Sequence, residues 1–178
     1  VLDYVTRKDG TSSCKSDFFT SPTAYESTFS RFTKVADVFI AGHFYGKGSP
    51  YFFTREEAKV EDFNLKVVAD ISCDIDGPVA CTIRPSTIEN PIYGYDIRSE
   101  SEVDFKNSNA IAVMAVDNLP CELPRDASES FSNTFIGKII PAFFNDDKDG
   151  ILARSKMTEN GQLTPAFSYL QDYVDGLE

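Results

Sequence analysis

The stretch from Ala110 to Phe144, AIAVMAVDNLPCELPRDASESFSNTFIGKIIPAFF, restricts the possible folds more than any other. It opens on Ile111-Ala112-Val113-Met114-Ala115-Val116, an apolar run too short for a helix and suited to a strand buried on both faces. Asp117-Asn118-Leu119-Pro120 breaks that run, because proline holds its predecessor extended and offers no N–H to a ladder. Pro124, Arg125 and Asp126 then look like a first helical turn, where the missing N–H costs nothing. Ala127, Phe131, Phe135 and Ile139 follow at helical spacing, with Ile140, Phe143 and Phe144 widening the stripe. Pro141 is expected to kink or end this helix near Ile140. A buried strand feeding a long amphipathic helix through a polar elbow belongs to an open α/β sheet. Ligands of such sheets sit outside the carboxyl ends of the strands, which puts Asp117 and Asn118 at a site.

The rest of the chain supplies more strands of the same kind. Residues 1 to 20 show little period, and Ser21-Pro22-Thr23 starts a helix with Tyr25, Phe29 and Phe32 on one face. Ala36 to Gly42 is a buried parallel-type strand ending in glycine, and Thr54-Arg55-Glu56-Glu57 is a good helix start. Leu65 to Ile71 is the next strand. Strand, helix, strand with short connections predicts a parallel sheet, so 36–42, 65–71 and 111–116 should be parallel neighbours. Residues 72 to 96 have no convincing period and read as a long functional loop leaving the carboxyl end of a strand. Asn160-Gly161 marks a tight hairpin, and Thr164-Pro165 caps a last helix bearing Phe167, Leu170 and Val174.

Charge narrows the function classes. With 28 acidic against 17 basic residues the net charge is −11, a field that disfavours nucleic acid and anionic membrane as partners. A dinucleotide stays possible, since backbone N–H groups at a helix start hold pyrophosphate without a basic patch. No run approaches the ~18 apolar residues of a membrane span. Cys14, Cys73, Cys81 and Cys121 form no C-x-x-C pair and read as reduced thiols of a cytoplasmic protein, with no metal site. The Asn145-Asp146-Asp147-Lys148-Asp149-Gly150 run has Lys156 where a calcium loop needs its bidentate glutamate, so it is an exposed acidic turn. Gly42, Gly46 and Gly48 fit neither phosphate-binding glycine pattern.

Several residues have two readings. Asp74, in Cys73-Asp74-Ile75-Asp76-Gly77, is equally an Asx-type turn residue and a functional carboxylate just past a strand end. Asp117 and Asn118 serve strand termination and helix entry as well as a site. Arg84 is either a surface arginine or a bidentate clamp for a substrate carboxylate. His43, the one histidine, reads as satisfied and half-buried ahead of any catalytic role.

The elbow VDNLPCELPRDASESF resembles the matching segment of the lysine-ketoglutarate reductase half of aminoadipic semialdehyde synthase. It is more distantly similar to saccharopine dehydrogenase (lysine-forming) and to the alanine dehydrogenase/pyridine nucleotide transhydrogenase family. Three further stretches match in order: Pro22 through the P-x-x-x-T-R loop at Pro50–Arg55, the D-I-S-x-D-x-x-G stretch at Asp70–Gly77 with Thr87-Ile88-Glu89-Asn90-Pro91 after it, and the closing Thr158–Pro165 hairpin. All match the second half of such an enzyme.

The resemblance implies a partial Rossmann-like parallel sheet with a C-terminal helical return segment. Residues 1–120 would be the second part of an NAD(P)-binding domain and 121–178 the segment returning to a substrate domain. It implies NAD or NADP as cofactor and an amino-acid or oxo-acid substrate, with Asp74 catalytic. Gly42, Asp117 and Asn118 would meet the cofactor, and Leu119 the nicotinamide ring. The chain starts at Val1 without methionine, as a fragment would, so the dinucleotide fingerprint is expected upstream. Such a fragment should self-associate or be completed by its missing N-terminal half. The competing readings are an alanine dehydrogenase-like enzyme and a non-catalytic binding or scaffold module of the same fold.

Overall fold

The computed structural model describes residues 3–46 and 48–177. The chain divides into two units, Val1–Glu122 and Leu123–Glu178.

The first unit begins with strand β1 (Val5–Arg7), helix α1 (Lys15–Thr20) and strand β2 (Tyr25–Ser27), which pairs antiparallel with β1. The helix expected from Ser21 is therefore a single 3₁₀ turn at Pro22–Ala24 followed by a strand. Pairing with β1 wins because it buries Tyr25 and gives its hydroxyl two partners, Asp17 Oδ2 at 2.8 Å and the Cys14 carbonyl at 3.2 Å. Helix α2 (Ser30–Thr33) then leads to β3 (Val38–Ala41). Helix α3 (Arg55–Ala58) starts on a complete capping box between Thr54 and Glu57 and is followed by β4 (Val67–Asp70). Two strands complete the set before the elbow: β5 (Ile92–Asp96) and β6 (Ser101–Val103) precede β7 (Ala110–Met114).

The main sheet has the order β3-β4-β7-β5-β6. Strands β3, β4 and β7 are parallel neighbours, as their apolar runs predict, and the fold is α/β with a partial Rossmann-like character. Strands β5 and β6 lie antiparallel beyond β7, so the sheet is mixed and residues 72–96 are not one long loop. The part that remains irregular is not a surface loop either: Val79, Ala80, Cys81 and Thr82 are buried, and Phe53 bridges Val79. Its backbone groups find partners inside, with the Tyr93 hydroxyl donating to the Cys81 carbonyl and accepting from the Ile83 N–H.

The two sheet faces differ. Phe39, Val68, Val113, Ile111, Tyr93 and Tyr95 point into one aromatic-rich core with Phe29, Phe52 and Phe53. The register aligns Val38, Val67 and Ala112 on the opposite face, and beside them Ile40, Ala69, Met114 and Ile92. There Val38 is 54% and Ile40 65% exposed, with Val67 and Ile92 also open. The strands expected to be buried on both faces are covered on one.

In the second unit, α4 (Pro124–Thr134) has proline in its first turn. A π-helical turn at Phe135–Ile139 joins it to α5 (Ile140–Ala142). Proline 141 therefore widens the helix and does not end it at Ile140: the Ile140 N–H reaches back to the Phe135 carbonyl, and the chain continues past the ring. Helix α6 (Ile151–Ser155) is capped by Asp147, whose carboxylate accepts from the N–H groups of Leu152 and Ala153 at 3.0 and 2.8 Å. The acidic run thus ends in a helix cap. Strands β8 (Thr158–Glu159) and β9 (Gln162–Leu163) form the hairpin across Asn160-Gly161, both at positive φ. A 3₁₀ stretch at Pro165–Leu170 runs into α7 (Gln171–Val174). Among the described residues no helix is long and apolar enough to cross a membrane.

Candidate active site at the carboxyl edge of the sheet

The three parallel strands end side by side, and the chain after each end is tied to its neighbour. After β4, the N–H groups of Ile71 and Ser72 reach the Ala41 carbonyl of β3 at 2.8 and 3.3 Å. On the other side the Cys73 thiol donates to the Ala115 carbonyl beyond β7, at 3.2 Å. Ser86 secures the same end, its N–H donating to the Ala115 carbonyl and its hydroxyl accepting from the Ala115 N–H. The first residues after β4 are thereby tied to the ends of both β3 and β7.

The anchor of this edge is Asp70, the last residue of β4, fully buried. Its Oδ1 accepts from the N–H groups of Ser72 and Cys73 at 3.1 and 3.2 Å and from the Ser72 hydroxyl at 2.5 Å. Its Oδ2 accepts from the Thr82 hydroxyl at 2.7 Å. Four donors satisfy the buried carboxyl and fold the following residues into a tight turn. Cys73 and Asp76 take positive φ in it, and the Gly77 N–H closes onto the Asp74 carbonyl at 3.0 Å. A Cβ at Gly77 would stand 2.8 Å from both the Cβ and the carbonyl oxygen of Asp74, so the turn demands glycine there.

The turn is closed by main-chain groups, which leaves the Asp74 carboxyl out of it. Among the described residues that carboxyl accepts no hydrogen bond and faces His43, with Oδ2 3.8 Å from Nε2. Burial raises the Asp74 pKa and Asp70 adds to the effect, while His43 opposes it. Burial lowers the His43 pKa against the pull of Asp70 and Asp74. Burial also raises the Cys73 thiol, with Asp70, Asp117 and Asp74 contributing, so it is no ready nucleophile.

His43 departs from the satisfied histidine its sequence suggests. Nδ1 lies 3.2 Å from the Ser72 hydroxyl, and the ring stands edge-on to Phe52 with centroids 4.6 Å apart. Nε2 is buried and has no hydrogen-bond partner among the described residues. Sequence patterns missed the Asp70–Ser72–His43 chain. The register could have found it: Ala41 pairs with Asp70, so the second residue past each strand, His43 and Ser72, fall opposite one another.

Asp117 and Asn118 lie exposed just beyond β7, where Asn118 accepts from the Cys121 N–H in the 3₁₀ turn Leu119–Glu122 that includes half-buried Leu119. Gly42 is exposed, and a Cβ there would meet nothing within 4 Å. Arg84 is drawn elsewhere. Its guanidinium grips Glu102 on β6 in a two-point contact of 2.6 and 2.7 Å and lies over the Tyr93 ring. That bidentate pairing ties Arg84 to Glu102 of this chain.

A nicotinamide dinucleotide fits this edge in part. The open backbone at Gly42 and the exposed polar ends at Asp117 and Asn118 suit a ribose or amide approaching the strand ends. The pyrophosphate does not fit here. The first helix after β3 is α3, whose Thr54 hydroxyl and N–H already face Glu57 and whose first turn carries Glu56 and Glu57.

The fold and its edge thus define an α/β sheet with its candidate site at the strand ends. No family model matches the chain. It is similar to alpha-aminoadipic semialdehyde synthase of Arabidopsis thaliana, 25% identical over 94% of this chain and 16% of that protein. The mitochondrial alpha-aminoadipic semialdehyde synthase of Mus musculus is 25% identical over 92% of this chain and 21% of its own length. Saccharopine dehydrogenase (NAD(+), L-lysine-forming) of Schizosaccharomyces pombe is 30% identical over 61% of this chain and 29% of that enzyme. The chain therefore spans less than a third of each of these relatives. They are enzymes, and the saccharopine dehydrogenases are oxidoreductases.

Proposed function

We propose that this chain forms part of an NAD(P)-dependent oxidoreductase acting on a C–N bond of an amino acid, of the lysine-ketoglutarate reductase/saccharopine dehydrogenase type. The observation that carries this reading is the gathering of Asp74, Gly42 and Asp117–Asn118 at one carboxyl edge, in a chain whose relatives include lysine-forming saccharopine dehydrogenases. Residues 1–120 are the second part of the nucleotide-binding domain, and 121–178 return toward a substrate domain. The chemistry that a nicotinamide dinucleotide supplies when bound is hydride transfer. Within this chain, Gly42, Asp117, Asn118 and Leu119 would hold its nicotinamide end. Asp74 orders the substrate amine or relays its proton. The test is an extended protein that includes the sequence upstream of Val1. It should oxidise NADH or NADPH in the presence of lysine and 2-oxoglutarate. Oxidation with pyruvate and ammonia instead would select the alanine dehydrogenase-like reading, and no oxidation with either pair would leave a scaffold module.

The chain alone should behave differently. Its open sheet face, with Val38, Ile40, Val67 and Ile92, and the exposed Phe131, Ile136, Phe143 and Phe144 of the second unit are apolar surfaces that favour association. Among the described residues, strand β3 also lies at the edge of the sheet with one side unpaired. Sedimentation of the isolated chain should show self-association that grows with concentration, together with weak dinucleotide binding and no turnover. A clean monomer binding NAD(P)H at micromolar concentration would overturn the incomplete-domain reading.

A further inference from the structure

The hydrogen-bond chain behind Asp74 specifies more than position. Oδ1 of Asp70 already receives two backbone N–H groups, so the 2.5 Å contact with Ser72 Oγ is a hydrogen bond donated by the Ser72 hydroxyl. A hydroxyl has one proton. Ser72 Oγ therefore meets the imidazole as an acceptor, and the proton between them, across 3.2 Å, belongs to His43 Nδ1. In neutral His43 the lone pair then sits on Nε2, the buried atom without a partner, 3.8 Å from Asp74 Oδ2. A buried imidazole nitrogen left unpaired is unfavourable, so the arrangement favours any proton that can be placed between these two groups. Such contacts are commonly long without substrate and shorten in the working complex.

We propose that His43 is a positioning residue that shares one proton with Asp74, fixed by Ser72 and Asp70 in the Nδ1–H tautomer so that Nε2 accepts the proton the carboxyl releases. The transfer is balanced within the pair: the O–H bond of Asp74 breaks, the Nε2–H bond forms, and a carboxylate faces an imidazolium. Nδ1–H stays on Ser72 throughout, and no other reactant is needed. The environment brings the two groups' proton affinities together, since burial disfavours the charged form of each. Asp70 and Asp74 are the titratable groups acting on the imidazole. Tyr45 and Cys73 feel Asp74 from adjoining positions, and Phe52 closes one side of the ring. The role of this pair in turnover rests on the proposed function; the tautomer and the shared proton do not.

His43 is the chain's one histidine, so nitrogen-15 NMR of the imidazole reads a single residue without assignment. In the unmodified chain above its transition, Nδ1 should show the shift of a protonated ring nitrogen and Nε2 that of a bare one. Ser72→Ala should release the constraint and populate the Nε2–H tautomer. Asp74→Asn should lower the His43 midpoint by about one pH unit, because the imidazolium loses its facing carboxylate. A bare Nδ1 in the unmodified chain would overturn the proposal. So would a midpoint unmoved by Asp74→Asn. Because the experiment uses neither cofactor nor substrate, its failure leaves the oxidoreductase reading untouched. An inactive full-length enzyme would likewise leave the pair intact.

Discussion

Replacing Asp74 by asparagine in the proposed full-length oxidoreductase is expected to lower turnover by roughly two to four orders of magnitude. The substitution keeps the shape of the side chain and the turn beneath it, since that turn closes through the Asp74 carbonyl and the Gly77 N–H. It removes the ability to carry charge or a proton. Among the described residues the Asp74 carboxyl accepts no hydrogen bond and is half-buried at the strand ends, so its lone pairs are available to a substrate amine. Its raised pKa enlarges the protonated fraction near neutrality over that of an ordinary aspartate, which suits a proton relay. Affinity for NAD(P)H should change little, because the residues proposed to hold the cofactor, Gly42, Asp117 and Asn118, are on other strand ends. The same variant should lose the acid limb of the pH–rate profile that Asp74 contributes. Steady-state turnover and a direct cofactor titration separate the outcomes. An unchanged turnover number would reduce Asp74 to a turn residue.

The sheet's parallel half was legible because it rests on local signals. Val38–Ala41, Val67–Asp70 and Ala110–Met114 are apolar runs with polar ends, and the connections between them fix their direction. Strands β5 and β6 carried no such signal. Ile92-Tyr93-Gly94-Tyr95-Asp96 follows a proline and includes a glycine, both of which argue against a strand. Gly94 is nonetheless required where it is, since a Cβ there would stand 2.8 Å from the backbone of Val103 and Asp104. The turn that follows is built by the Asp96 carboxylate, which accepts from the N–H groups of Arg98 and Ser99, and by Glu100 at positive φ. Neither shows as a glycine or asparagine turn. Pairing with β7, distant in sequence, decides the matter. The candidate site was partly legible for the same reason. Asp74, Asp117 and Asn118 are marked by their strand ends, whereas the tie between His43 and Ser72 exists only once β3 and β4 are set in register.

Asp70→Ala should be the most destabilising single substitution at this edge, at about 3–5 kcal/mol. The side chain is fully buried and receives the Ser72 and Cys73 N–H groups and the Ser72 and Thr82 hydroxyls. Alanine leaves those donors facing a cavity with no acceptor, and water must enter or the turn must open. Asparagine is the informative comparison. Its carbonyl can keep the Oδ1 partners, and its amide can donate to Thr82, whose hydroxyl then has to turn away. The loss for Asp70→Asn should therefore be about 1–2 kcal/mol. Urea unfolding reads both variants, provided the slope of the transition is unchanged. The two should also differ at His43. Asp70→Asn keeps Ser72 an acceptor for Nδ1–H, whereas Asp70→Ala frees the hydroxyl to rotate and the imidazole to exchange tautomers. If alanine and asparagine cost the same, small amount, Asp70 is not what holds the turn. The fixed geometry of Ser72, His43 and Asp74 would then need another source.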